Sequence, residues 1–91
     1  GFSFSPQPES QPAIRVFPNP TSDYFQLAEA ADVDKIVLYS MTGRQVRTFD
    51  PRQNNRHYVG DLPDGMYLAS LVSAQEGVIK TLRLLKRSLR P

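Results

Sequence analysis

Ile36-Val37-Leu38-Tyr39-Ser40-Met41-Thr42-Gly43-Arg44-Gln45-Val46 is the stretch whose reading decides the fold. Its first four residues are all apolar, and Ile36, Val37 and Tyr39 are β-branched or aromatic, a composition that suits a pleated, half-buried surface. Alternation places Ile36 and Leu38 on one face and Val37 and Tyr39 on the other. Both faces are apolar, so the strand belongs in the middle of a sheet. The run stops at Met41-Thr42-Gly43-Arg44, where Gly43 supplies the positive φ of a tight hairpin. Gln45–Phe49 then reads as the returning strand.

The same punctuation extends in both directions. Short β-branched and aromatic runs alternate with turn clusters about every ten residues, the rhythm of an all-β sandwich or barrel. Strands are expected at Ile14–Phe17, Tyr24–Ala28, Lys35–Ser40, Gln45–Phe49, His57–Val59, Met66–Ser73 and Val78–Lys86. Pro18-Asn19-Pro20-Thr21-Ser22-Asp23 cannot continue a ladder, because prolines lack donors and Asn, Ser and Asp favour local turns. Pro63-Asp64-Gly65 reads as a turn with Pro at its first central position, and Gln75-Glu76-Gly77 closes the last hairpin. Only 27–33 offers local helix propensity, without an apolar face. Phe25 and Leu27 share one face of their strand, as do Tyr67, Ala69 and Leu71 of theirs, with Leu68 and Val72 on the other. The last strand is ambiguous: Val78, Leu82 and Leu84 lie on one parity, Ile79 and Leu85 on the other. A bulge or a two-sided strand reconciles them.

Composition narrows the function classes. The chain has 91 residues, 40% of them hydrophobic, with no cysteine and a net charge of +2. That is one domain, stabilised by an apolar core without disulfides or thiolate metal sites. The charge is too small for a nucleic-acid-binding surface, and no apolar stretch approaches the roughly 20 residues that span a bilayer. The opening Gly-Phe-Ser-Phe, without Met, is expected of a fragment of a longer protein. Residues 1–13, with three prolines among the first twelve, read as a flexible, protease-accessible linker. Phe2 and Phe4 within it either pack back on the domain or end a preceding one. Residues 14–91 form the folded domain.

Catalytic parts are scarce, and no cofactor is implied. His57 is the only histidine, expected as an ordinary surface or edge residue. Asp32 and Asp34, with Asp23 and Glu29, lack the glycine and ligand spacing of a calcium loop and read as solvated turn acids, so no metal site is expected. No phosphate cradle or nucleophile elbow occurs. Arg44, Arg47, Arg52 and Arg56 gather near the fourth strand, where planar guanidinium forks suit anionic groups such as those of a lipopolysaccharide. A solvated edge that discourages strand pairing explains them equally well. Tyr24, Tyr39, Tyr58 and Tyr67 suggest a sugar-stacking platform, although Tyr39 and Tyr67 look half-buried by parity. A carbohydrate- or adhesion-type β-sandwich binding module is therefore one reading.

The closing Lys80-Thr81-Leu82-Arg83-Leu84-Leu85-Lys86-Arg87-Ser88-Leu89-Arg90-Pro91 joins a strand-like run to a one-signed basic end, with no acidic residue after Glu76. Three upstream segments give it meaning. Val16-Phe17-Pro18-Asn19-Pro20 resembles the opening motif of the C-terminal sorting domain (type A) of the type IX secretion system, an apolar pair before Pro-Asn-Pro. Ile36–Val46, with its Gly43-Arg44 turn, resembles the second motif. Leu62-Pro63-Asp64-Gly65-Met66-Tyr67 resembles the third, Leu-x-x-Gly-x-Tyr. Lys80 and Lys86 then fall in the lysine-bearing closing strand. The resemblance covers about residues 14 to 86, and the four segments in this order are specific where each alone is weak.

The resemblance implies a seven-stranded, Ig-like antiparallel β-sandwich that serves as an export address rather than a catalyst. Pro18, Asn19, Pro20, Gly43, Arg44, Gly65 and Tyr67 are then structural motif residues. Lys80, Leu84, Leu85, Lys86 and Arg87 are candidates for recognition by the translocon or its shuttle, through the exposed backbone of the last strand. It further implies periplasmic transit, passage through the outer membrane, and delivery to the cell surface or the medium. For most such cargo a sortase cleaves the preceding linker and joins the body to an anionic lipopolysaccharide; some members are retained uncleaved. Arg87–Pro91 extend past the usual closing lysine, a departure that fits the retained class. Removing the last five to ten residues is expected to block export without unfolding the domain. An apolar last strand at a sheet edge also invites homodimerisation by strand exchange.

Overall fold

The computed structural model describes residues 14–28 and 32–88. They form an all-β sandwich of seven strands: β1 (Arg15–Phe17), β2 (Tyr24–Ala28), β3 (Lys35–Ser40), β4 (Gln45–Phe49), β5 (His57–Tyr58), β6 (Gly65–Ser73) and β7 (Gly77–Lys86). One antiparallel sheet has the order β1-β2-β5, the other β4-β3-β6-β7. The two-faced strand β3 is interior, as its sequence requires, between β4 and β6.

The inner faces follow from alternation. Phe25 and Leu27 of β2 meet Ile36 and Leu38 of β3, Tyr67, Ala69 and Leu71 of β6, and Leu84 of β7 in one cluster, closed by Ile14, Val33 and Val59. Full burial of a Leu, Ile or Phe side chain stabilises by roughly 1.5–3 kcal/mol, so these residues outweigh the contribution of any surface pair.

A bulge resolves the parity conflict in β7. Leu71 pairs with Lys80 but Val72 pairs with Val78, leaving Ile79 as the extra residue. The strand therefore changes face at Ile79. Ile79 and Leu82 pack against the core and Leu84 lies within it, while Val78 is turned out at 61% exposure. A second bulge, between Leu38 and Tyr39, adjusts the β3–β4 hairpin.

One expectation changes. His57 is on an edge strand, but its ring faces inward and is only 2% exposed. It lies between Phe25 and Phe49, with ring centroids 5.0 and 5.2 Å away. The reason is register: His57 pairs with Phe25, whose side chain points into the core. The segment considered for a helix, 27–33, begins as strand through Ala28, because Leu27 is claimed by the core; residues 29–31 lie outside the described residues. So do Phe2, Phe4 and the rest of the 1–13 linker, together with 89–91.

Candidate functional site

Sheet pairing gathers the motif segments at one end of the sandwich. Ser40, where β3 ends, is opposite Tyr67 near the start of β6. Gly65, where β6 begins, is opposite Lys86 near the end of β7. The segment after β1 reaches the same place, since Thr21 bridges Lys86 in parallel. The Pro18–Pro20 turn, the Met41–Arg44 turn, the Leu62–Gly65 turn and the end of β7 thus share one pole.

Asn19 holds the end of β7 by imitating a peptide group. Its Nδ2 donates to the Arg83 carbonyl at 3.0 Å, and its Oδ1 accepts from the Leu85 amide at 3.0 Å. Thr21 continues the pairing: its amide donates to the Leu85 carbonyl, and its own carbonyl accepts from Arg87, both at 2.8 Å. The flanking prolines cannot donate, and both Phe17-Pro18 and Asn19-Pro20 are cis. Asn19 and Thr21 therefore make every hydrogen bond between this segment and β7.

Lys86 closes the pole from inside. Its residue is 2% exposed. Nζ donates to the Leu62 carbonyl at 3.0 Å, to Asp64 Oδ1 at 3.2 Å and to Ser88 Oγ at 3.3 Å. Asp64 Oδ1 also accepts from the Ser88 amide and hydroxyl at 3.1 and 2.8 Å. These Ser88 bonds, and then Lys86, hold the Asp64 carboxyl below its ordinary pKa. Tyr67, buried beneath, donates its hydroxyl to the Pro63 carbonyl at 2.6 Å. Gly65, at φ 152°, and Gly43, at φ 91°, take backbone conformations that other residues rarely adopt.

The five candidate recognition residues divide. Lys80 and Arg87 are exposed and Leu85 is partly so, whereas Leu84 and Lys86 are buried. Near the fourth strand, Arg47 grips Asp61 with both guanidinium nitrogens at 2.8 and 2.9 Å. This fork raises the Arg47 pKa and lowers that of Asp61. Arg52 pairs with Asp34 at 3.1 Å. Asp34 also accepts from the Ala74 amide, so it serves as a loop staple. Of the tyrosines, Tyr67 is core and Tyr39 half-buried; Tyr24 and Tyr58 are exposed with centroids 5.1 Å apart. The Arg56 guanidinium lies 4.4 Å from the Tyr24 ring.

Thr21 and Ser88 carry the site without having stood out in the sequence. Their roles depend on partners more than 20 residues away, Leu85 and Asp64, so only the fold reveals them.

The family model of the secretion system C-terminal sorting domain matches residues 15–84. The chain belongs to that family. The match spans β1 through most of β7 and contains the Pro-Asn-Pro, Gly43-Arg44 and Gly65-Tyr67 motifs, each now located at the pole. The sorting domain is thus a C-terminal signal of type IX secretion, and it implies interaction with that machinery and export to the outer membrane, the cell surface or the medium. Domains of this kind are not normally catalytic. No curated protein and no solved structure matches the chain. Among the described residues no helix is long and apolar enough to cross a membrane.

Proposed function

We propose that residues 14–91 are read as a folded address by the type IX translocon or its shuttle, after periplasmic transit, and that the end of β7 carries the recognised features. The observation that carries this reading is the convergence of all the motif segments on that end. Arg87 offers exposed charge there and Leu85 a partly exposed apolar side chain, while Lys80, opposite Leu71 nearer the start of β7, adds exposed charge along the strand. Leu84 and Lys86 act from within, by holding the strand end in place.

The 1–13 segment is the proposed cutting region, where a sortase would separate the domain from the body before its attachment to an anionic lipopolysaccharide. In the alternative, the domain is retained in a surface component. Mass spectrometry of the parent protein on the cell surface tests the choice. Peptides from 14–91 should be missing if the domain is cleaved; recovering them in full stoichiometry supports retention.

β7 is a sheet edge, and homodimerisation by strand exchange remains part of the proposal. Such exchange has to break the Asn19 and Thr21 bonds, so Asn19→Ala should raise the dimer fraction in sedimentation velocity. An unchanged monomer would remove this element.

A second reading, a glycan-binding module, is favoured by the exposed Tyr24–Tyr58 pair with Arg56. Arg47 and Arg52 are engaged by Asp61 and Asp34, which leaves that reading fewer free guanidinium groups. Calorimetric titration of a glycan panel should give no saturable heat; binding abolished by Tyr58→Ala would favour the module.

A further inference from the structure

We infer that the Met41–Arg44 turn and Arg87 form one docking surface for a protein that offers an apolar pocket flanked by carboxylates. The inference rests on the sorting-signal reading and adds the contact that performs it. β3 and β7 are separated only by β6, so the turn after Ser40 and the residue after Lys86 emerge about 10 Å apart. Both leave the four-stranded sheet at the same end.

Met41 is 59% exposed, although its turn is firmly built. Ser40 N donates to the Arg44 carbonyl at 2.9 Å, Gly43 N to the Ser40 carbonyl at 3.0 Å, and Ser40 Oγ lies 2.8 Å from Thr42 Oγ1. A flexible thioether on a fixed turn suits an irregular apolar pocket. Arg44 and Arg87 are exposed, and neither pairs with a carboxylate among the described residues. The acids beside them are committed: Asp61 to Arg47, Asp64 to Lys86 and Ser88. Asp23 is on the side of the other sheet, before β2. Strands β3, β4, β6 and β7 contain no Asp or Glu. The pole therefore presents an apolar tip between two cations that have no carboxylate partner among the described residues, complementary to carboxylates.

The test compares export of four forms of the parent protein: wild type, a form lacking 14–91, the variant Met41→Asp/Arg44→Glu/Arg87→Glu, and the control Arg15→Glu. Arg15 is exposed at the far end of β1. The triple variant should lose at least tenfold in export, with its thermal midpoint as a 91-residue chain within a few degrees of wild type and the control exported normally. Normal export of a folded triple variant overturns the docking surface while deletion of 14–91 still blocks export. Normal export of the deletion form overturns the sorting-signal reading itself. Equal loss in the control overturns the location. A wild-type chain that dimerises in sedimentation, with the triple variant monomeric and still exported, assigns the surface to a second copy and overturns the proposal.

Discussion

Burying a lysine ammonium costs several kcal/mol unless each of its three donors finds an acceptor, and Lys86 meets that condition with Leu62, Asp64 and Ser88. On the proposed reading, Lys86 acts on recognition only through the position of β7. Lys86→Ala should destabilise the domain by about 2–4 kcal/mol, by lost packing of the stem and an unsatisfied Leu62 carbonyl. Lys86→Met, which keeps the stem, should cost less. Urea unfolding of both measures this; equal, near-zero effects would show that the ammonium is not engaged. His57 supplies a pH dependence. Burial lowers its pKa below the ordinary 6.5, so the fold holds it neutral. Its contribution is complete above the unfolded pKa and is lost as pH falls below it, because the unfolded chain then binds the proton more readily. Thermal stability should decline between pH 7 and 5, and His57→Leu should flatten that decline in scanning calorimetry.

At the scale of elements, two asparagines act as short strands. Asn19 pairs with Arg83 and Leu85 on β7, while Asn55 accepts from the Leu27 amide at 3.1 Å and donates to the Leu27 carbonyl at 3.0 Å on β2. The Asn19 carboxamide occupies backbone groups of the edge strand β7, which blunts pairing with another chain, whereas Asn55 continues the β5 side of the central strand β2 beyond the two-residue β5. Asn19→Ala should speed hydrogen exchange at the Leu85 amide, and Asn55→Ala at that of Leu27. Each should cost about 1–2 kcal/mol. Unaltered protection at those two amides would show that the contacts are incidental. The strands themselves were legible, with every boundary within one residue, because β-branched runs and Gly or Pro turns are local signals. The β7 bulge was legible as a conflict of parity, though its position at Ile79 was not. His57 was misjudged because its burial depends on facing Phe25, a pairing between residues far apart in the chain. The depth of Lys86 was hidden for the same reason: nothing local to 80–91 announces the acceptors at Leu62 and Asp64.

For the whole molecule, one sandwich performs two tasks at opposite depths. The core of Phe25, Ile36, Leu38, Leu71 and Leu84 holds the sheets together, and the pole they support brings four distant motif segments into one surface. Family membership was legible from those motifs in order; their convergence required sheet register. The fold also limits how much of the closing segment is dispensable. A cut of ten residues removes Leu84 and Lys86 from the interior and should unfold the domain, contrary to the expectation from sequence. A cut after Lys86 sacrifices the Arg87 bond to Thr21, the Ser88 bonds to Asp64 and the Ser88 acceptor of Lys86, but leaves the apolar core whole. The most direct measurement is export of the parent protein truncated after Lys86, beside the intact form, with folding of the truncated domain verified by circular dichroism. The intact form should reach the cell surface or medium while the folded, truncated form accumulates in the periplasm. Equal delivery of both forms would contradict recognition at the end of β7.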